Sequence, residues 1–374
     1  MKQEEYYMRQ ALDLAAKGMG HTSPNPMVGC VVVKNGHVIA EGYHEKCGSF
    51  HAERNALLHC KEDPAGAELY VTLEPCCHYG KTPPCTEIIL EKGIKKVYVG
   101  AMDPNPLVAG KRVSILREQG VEVVTGIIEE ECLKLNEVFF HYITTGLPYI
   151  VMKYAMTLDG KIAVASGDSK WVTGEQARNH VQQLRKRYSG ILVGIDTVLA
   201  DNPMLNVRIE ENVNPVRIIL DSSLKTPLES KIVKTAREIP TICVGRQEEI
   251  DKAGRQSKID ILKKSGINVI VQPGSGQIDL FSLLKELGEQ KIDSILIEGG
   301  GKVHGSFLSQ GLVDKACIYI APKLAGKSSY SPINSFPLEK MSRAYSLKFD
   351  EMKKIGEDLY LTAYPKKNIK CGCI

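Results

Sequence analysis

The 374-residue sequence predicts two α/β domains in tandem, followed by a short tail. Three observations carry this. The length is about two and a half times the ~150 residues of a typical domain. Helical and β-branched stretches alternate along the whole chain. One stretch of linker character, Thr144-Thr145-Gly146-Leu147-Pro148, interrupts them. The expected division is residues 1–146, 147–366 and a tail at 367–374. With 43% hydrophobic and 25% charged residues, the composition is that of a globular protein, not a disordered or fibrous one. Apolar runs such as residues 30–33 are far shorter than the ~20 residues that span a bilayer, so no membrane partner is expected. The net charge of +4, from 48 basic and 44 acidic residues, is too even for a nucleic-acid binder. Residues 1–9 include Lys2, Glu4, Glu5 and Arg9 and lack the apolar core of a signal peptide. Eleven scattered cysteines, an odd number, then point to a reducing compartment where some thiols bind metal. A cytoplasmic enzyme is expected.

Met8, Leu12, Ala15, Ala16 and Met19 recur at helical spacing and predict a helix over 6–19, closed by Gly18 and Gly20. Strands at 28–33 and 38–40 flank Asn35-Gly36, a dipeptide that tolerates positive φ at both positions and marks a hairpin. A helix from about His51, a strand at 68–73 and a helix opened by Pro83 and Pro84 follow. Next come a strand at 96–101, a helix at 114–119, a strand at 121–124 and a helix at 129–142. This alternation describes a three-layer domain. The second half has strands at 149–154, 191–194, 216–221, 241–244, 294–298 and 317–321. Its helices are expected at 175–187, 251–265 and 279–288, with a loop-rich run before Val216. No internal repeat is present.

The first half carries a metal-type constellation. His51-Ala52-Glu53 opens a helix, and Cys76 and Cys85 lie downstream, each preceded by proline. One imidazole and two thiolates leave the fourth position of a tetrahedral zinc open to water. Glu53, two residues from the histidine, can move that water's proton without binding the metal. Helix starts favour thiolate over thiol. His-x-Glu followed by Pro-Cys…Cys is the arrangement of zinc nucleobase deaminases. A structural zinc site is the alternative, and it needs a fourth ligand from Cys77 or His78.

In the second half, Glu298-Gly299-Gly300-Gly301-Lys302-Val303-His304-Gly305-Ser306 joins a strand to a helix predicted near Ser306. Glycines there let backbone N–H groups approach a phosphate, although a tight turn would use them equally. The dinucleotide fingerprint fails, because His304 stands where its third glycine belongs. A Walker loop fails as well.

His51-Ala52-Glu53 with Glu74-Pro75-Cys76-Cys77-His78-Tyr79-Gly80-Lys81-Thr82-Pro83-Pro84-Cys85 resembles the bifunctional deaminase–reductase family of riboflavin biosynthesis. Ser23-Pro24-Asn25-Pro26 and Asp103-Pro104-Asn105-Pro106 are similar to its motifs too. So are Lys153-Tyr154-Ala155, Leu158-Asp159-Gly160-Lys161, Gly167-Asp168-Ser169-Lys170-Trp171, Leu199-Ala200-Asp201-Asn202-Pro203 and Ala321-Pro322-Lys323-Leu324. The resemblance extends to about Pro365. It implies a cytidine-deaminase-like three-layer α/β domain and a dihydrofolate-reductase-like α/β domain, with one zinc ion and NADPH as cofactors. It implies His51, Cys76 and Cys85 as zinc ligands, Glu53 as the catalytic proton carrier, and Asn25, His44, Lys81, Asp103 and Asn105 as contacts to a phosphoribosylaminopyrimidine. For the reductase it implies cofactor contacts from Ala155, Trp171, Thr197, Asp201, Ser222, Gly300, Gly301, Lys302, Val303, His304, Gly305 and Ser306. Substrate contacts are implied for Lys153, Ser169, Arg185, Leu205, Arg208 and Glu298. The two domains would deaminate the pyrimidine and then reduce its ribosylamino group to ribitylamino phosphate, in a homo-oligomer.

Two rival readings remain at this point. A deaminase of nucleic-acid bases would bind single strands in a salt-sensitive way, which +4 does not encourage. A zinc-stabilised nucleotide sensor needs four protein ligands. The terminal Cys371-Gly372-Cys373-Ile374 formally fits a prenylation box, but glycine and cysteine are poor aliphatic positions, and a solvated tail is expected.

Overall fold

Two units, Met1–Leu147 and Pro148–Ile374, make up the chain in the computed structural model. It describes residues 2–77, 83–103, 111–209, 213–328, 330–334 and 338–366. The expected tail lies outside these residues.

The first unit runs α1 (Gln3–Ala16), β1 (Gly29–Lys34), β2 (His37–Tyr43), α2 (Ala52–Leu58), β3 (Glu68–Leu73), α3 (Cys85–Glu91), β4 (Lys96–Ala101), α4 (Lys111–Glu118), β5 (Glu122–Thr125), α5 (Glu129–Leu135) and α6 (Glu137–Thr145). Asn35 and Gly36 take φ of 50° and 78°, turning β1 back onto β2 as the sequence predicts. The sheet order is β2-β1-β3-β4-β5. β1 is antiparallel to both neighbours, and β3, β4 and β5 are parallel.

Glycines set the three layers. A Cβ at Gly29 would lie 1.9 Å from the Ala11 carbonyl of α1, and one at Gly42 would lie 2.6 Å from the Ala52 carbonyl of α2. Gly42 pairs with Cys30, and neighbouring residues alternate faces. Gly29 and Gly42 therefore point to opposite sides, so α1 and α2 cover opposite faces of the sheet. Met8, Ala11, Val31, Leu69, Val71, Ile89 and Val97 fill the core between the layers.

One expected helix is two. The 129–142 run breaks at Asn136, whose side-chain amide pairs with both the N–H and the C=O of Met27 at 2.9 Å each. That tertiary bond fixes a non-helical residue inside a helical pattern.

The second unit runs β6 (Tyr149–Thr157), α7 (Glu175–Arg187), β7 (Gly190–Gly194), α8 (Ile195–Asp201), β8 (Val216–Leu220), α9 (Lys231–Lys234), β9 (Thr241–Arg246), α10 (Gln247–Lys252) and α11 (Gln256–Lys264). It continues with β10 (Asn268–Gln272), α12 (Leu280–Glu289), β11 (Ser294–Ile297), α13 (Gly301–Ser309), β12 (Lys315–Ala321), β13 (Leu347–Ile355) and β14 (Asp358–Pro365). The nine strands stand in the order β10-β9-β8-β7-β11-β6-β12-β14-β13. β14 is antiparallel to β12 and β13, and the other pairs are parallel.

Three of these strands, β10, β13 and β14, are absent from the sequence expectation. The expected helix at 251–265 is two, α10 and α11, separated at Gly254, which takes φ of 61°. The last glycine-loop helix starts at Gly301, not near Ser306. Functional candidates gather where β7, β8 and β11 end, the crevice position typical of parallel α/β sheets.

Arg217 on β8 is fully buried. Its guanidinium donates to the Thr241 and Thr235 hydroxyls and to the carbonyls of Met204, Ile232 and Ile239. These neutral acceptors offset its desolvation, and the Met204 bond tethers the loop that follows α8.

Candidate active sites

The first site forms where α2, the end of β3 and the start of α3 meet. His51 caps α2 with extended backbone, and Cys85 is the first residue of α3. The three ligand atoms of His51, Cys76 and Cys85 lie within 4.8 Å of one another. His51 Nδ1 is 3.3 Å from the Cys76 Sγ and 3.5 Å from the Cys85 Sγ. Zinc bonds of ~2.3 Å to sulfur and ~2.0–2.1 Å to nitrogen give a tetrahedral edge of about 3.5 Å. The donor set therefore fits zinc in both chemistry and spacing, with Nδ1 as the histidine ligand. Cys77 is not part of this cluster among the described residues, and His78 lies outside them.

Cys76 Sγ accepts the backbone N–H of Cys85 at 3.3 Å. A hydrogen bond from the Cys85 thiol, joined by His51, outweighs burial and brings the Cys76 thiol down to about 4. Glu53 is 3% exposed and is hydrogen-bonded to the Cys85 thiol. Burial, then the Cys76 charge, pushes its carboxyl up to about 7. A proton carrier near neutrality suits acid–base work.

His44 and Asn25 adjoin this cluster. The His44 ring meets the His51 ring edge-on at 5.4 Å between centroids. Its Nδ1 lies 3.0 Å from the Phe50 carbonyl and its Nε2 3.3 Å from the Asn25 side-chain nitrogen. Burial lowers the His44 pKa from its usual value. Asp103 is also buried, but its carboxylate is engaged by Arg112 at 2.8 Å. Glu74, a residue without a role in the sequence reading, accepts the N–H groups of Asp103 and Val113 at 3.3 Å each. Lys81 and Asn105 lie outside the described residues.

The second site is a cavity of about 890 Å³ in the second unit. Every sequence-predicted reductase residue lines it except Leu205 and Gly305. Leu205 is 3% exposed and packs into the apolar core, with φ of 51° turning its backbone. Trp171 is 62% exposed, not a core residue, and the Arg178 guanidinium lies 4.5 Å from its ring centroid.

At the glycine loop, Gly300 caps α13 and has open space where a side chain would stand. Gly301 is confined, since a Cβ there would lie 2.4 Å from the Ser331 carbonyl. Gly301→Ala must therefore shift the helix start or the 331–334 segment. We expect it to weaken dinucleotide binding about ten- to a hundredfold, measured by fluorescence titration with NADPH; unchanged affinity would contradict this.

Behind the loop, Glu298 is forked by Arg185, with Nε at 2.7 Å and Nη2 at 2.9 Å, and Lys153 Nζ lies at 3.7 Å. Arg185 Nη1 donates to the Asn206 carbonyl. The Arg185 fork is thus occupied within the protein, whereas Arg208 is an exposed residue on the cavity wall. Burial raises the Glu298 pKa, but Arg185 and then Lys153 more than offset it and leave the carboxyl at about 2. Burial lowers the pKa of Lys153, against the pull of Glu298. The depressed carboxyl contributes about 3 kcal/mol of stability, complete above pH ~5 and lost as pH falls toward 2. The stability gap between wild type and Glu298→Gln, followed by circular dichroism, is expected to close over that range; a constant gap would contradict the ion pairing.

Two family models match the chain. Residues 1–101 match the cytidine and deoxycytidylate deaminase zinc-binding region, and residues 148–361 match the RibD C-terminal domain. With the His/Cys/Cys cluster beside a buried glutamate and the glycine-edged cavity, they define a zinc-type deaminase joined to a reductase. The folds are cytidine-deaminase-like and dihydrofolate-reductase-like.

The chain is 53% identical to a riboflavin biosynthesis protein RibD from Actinobacillus pleuropneumoniae, over 95% of this chain and 93% of that one. It is 39% identical to the Escherichia coli RibD over 96% and 98%. A crystal structure from Thermotoga maritima, described as a diaminohydroxyphosphoribosylaminopyrimidine deaminase/5-amino-6-(5-phosphoribosylamino)uracil reductase, has a TM-score of 0.85. It is 38% identical and covers 97% of this chain and 99% of that one. An Acinetobacter baumannii RibD structure has a TM-score of 0.84 at 41% identity, over 98% and 99%. The chain belongs to the RibD family of bifunctional deaminase–reductases of riboflavin biosynthesis. Among the described residues, no helix is long and apolar enough to cross a membrane.

Proposed function

We propose that this chain deaminates 2,5-diamino-6-(5-phosphoribosylamino)pyrimidin-4-one in the first unit and reduces the resulting aminouracil to its ribitylamino phosphate in the second. The observation that carries the reading is the pair of sites on one chain: three ligand atoms at tetrahedral spacing beside buried Glu53, and a cavity edged by the glycine loop.

In the deaminase site, His51 Nδ1 and the sulfurs of Cys76 and Cys85 would hold zinc. Bound zinc supplies Lewis acidity that lowers the pKa of the attacking water to about 7. Glu53 takes the water's proton and passes it to the ring nitrogen, then to the departing amine. Asn25 and His44 orient the base through their polar edges. Lys81 and Asn105 are proposed to meet the sugar phosphate. Asp103, bound to Arg112, contributes by tying the end of β4 to α4.

In the reductase site, the stretch from Gly300 to Ser306 would contact the dinucleotide, with the unpaired amides at the start of α13, around Gly301 and Lys302, offered to a phosphate. Ala155, Trp171, Thr197, Asp201 and Ser222 line the rest of the cofactor path. Bound there, NADPH would supply the hydride for reduction of the ribosyl carbon. Lys153 and Ser169 face the sugar, and Arg208, exposed on the cavity wall, meets the 5′-phosphate. Arg185 acts through Glu298, which it holds ionised, and Leu205 contributes to the core beneath the site.

The finer reading also includes a cytoplasmic homo-oligomer. Its support is the terminal strand β13 of the larger sheet, where Phe349 and Met352 are each more than 60% exposed. Sedimentation of the purified chain tests the assembly, and a monomer would overturn that part.

A two-step assay tests the function. Without NADPH the chain is expected to accumulate the aminouracil, and with NADPH to convert it onward. Failure of the first step, or no NADPH oxidation on the aminouracil, would contradict the corresponding half.

A further inference from the structure

The layer between the larger sheet and α7 contains a chain of polar contacts that the reading above does not use. Cys317 and Tyr319 on β12 pair with Lys153 and Ala155 on β6, so these four residues share one face of the sheet. The Lys153 Nζ lies 5.7 Å from the centroid of the Tyr319 ring. The Tyr319 hydroxyl is 2.6 Å from His180 Nδ1, and His180 stands on α7, the helix that also carries Arg185. The contacts close a circuit from His180 through Tyr319, Lys153 and Glu298 to Arg185 and back into α7.

Tyr319 is the buried centre of this circuit, and His180, Lys153, Glu298 and Arg185 are half-buried around it. Tyr319 is 1% exposed, and its ring packs on Tyr360 at 4.9 Å between centroids. The Tyr360 hydroxyl donates to the Cys317 Sγ at 3.3 Å. Neither Tyr319 nor His180 lines the cavity, so neither touches what binds there. Both reach it through Lys153.

Burying a phenol and an imidazole between a sheet and a helix is unfavourable unless they are paired. The pairing here has a directional consequence. An aromatic face attracts an ammonium group without offering it an oxygen. It can therefore fix the Lys153 stem and charge while leaving its N–H donors to Glu298 and the cavity. A lysine held only by its flexible chain would lack that constraint.

We infer that Tyr319 and His180 are positioning residues for the reductase step: His180 anchors the Tyr319 phenol, and the ring face holds the Lys153 ammonium between Glu298 and the cavity. The inference rests on Lys153 facing the reacting sugar.

The test compares Tyr319→Leu, Tyr319→Phe, His180→Gln and Lys153→Met in the full chain, with the aminouracil phosphate and NADPH. NADPH titration by fluorescence identifies the variants with an intact reductase fold. Tyr319→Leu is expected to lower the reductase kcat about tenfold, with KM for both substrates within about twofold. Tyr319→Phe keeps the ring face and should recover most of that loss, and His180→Gln should lower kcat about threefold. A merely structural role would not separate kcat from KM, nor respond to the ring alone. Full kcat in folded Tyr319→Leu, or a loss confined to KM, overturns the inference. Should Tyr319→Leu fail to bind NADPH, full kcat in both Tyr319→Phe and His180→Gln overturns it, and reduced kcat in His180→Gln supports it. Full reductase kcat in Lys153→Met would instead overturn the underlying reading of Lys153.

Discussion

Glu53→Gln is expected to abolish deamination, by about a thousandfold or more, while zinc content and the reductase step on the aminouracil stay at wild-type levels. The glutamine keeps the shape of a side chain that is 3% exposed at the start of α2. It loses the ability to accept a proton beside Cys85 and Cys76. Because His51, Cys76 and Cys85 are untouched, metal should remain. The measurements are elemental analysis and the ultraviolet change on conversion of the diaminopyrimidinone. Near-wild-type deamination in a zinc-loaded variant would remove Glu53 from the chemistry.

Cys76→Ala is expected to reduce zinc below about one-tenth per chain and deamination by a similar thousandfold, because two remaining ligands cannot complete a tetrahedral site. The lost sulfur is the one that accepts the Cys85 N–H and meets His51 Nδ1 at 3.3 Å. The site therefore loses its metal affinity and its internal order together. NADPH oxidation on the aminouracil should persist, since the cavity residues all come from the second unit. Retained zinc with retained deamination would show that another residue supplies the ligand.

The residues of the first site were legible because metal chemistry demands particular side chains at particular spacings. His51, Cys76 and Cys85 do converge, and Glu53 is buried beside them. What escaped the sequence reading depends on partners far along the chain. Asn136 breaks a helix because it bonds Met27, 109 residues away. Arg185 carries the residue type of a phosphate clamp, yet Glu298 occupies its fork. Leu205 was implied as a substrate contact but packs into the core. Glu74 stood in the family motif without a role, and Arg112 gave no signal beyond its charge, since their meaning lies in the bonds to Asp103. β13 was missed because LKFDEMKKI is largely exposed and alternates poorly, as a charged sheet edge does. β10 is only five residues long, between two helices. By contrast the helix at Glu175–Arg187 was read to its bounds, having a clear apolar stripe at Ala177, Val181 and Leu184.

The two halves also differ in how they hold charge. The first site keeps a carboxyl near neutrality by burial, which suits a group that must gain and lose a proton. The second keeps Glu298 ionised among cations, Arg185 foremost, which suits a fixed electrostatic frame. One chain thus carries a titrating site and a static one.

That two separable active sites act in sequence is tested most directly by mixing Glu53→Gln with Lys153→Met. Each variant alone should fail to convert the diaminopyrimidinone to the ribitylamino product in the presence of NADPH. The mixture should restore conversion, because the intermediate made by one reaches the intact reductase of the other. Loss of both steps in the Glu53→Gln chain, with no recovery on mixing, would contradict the account.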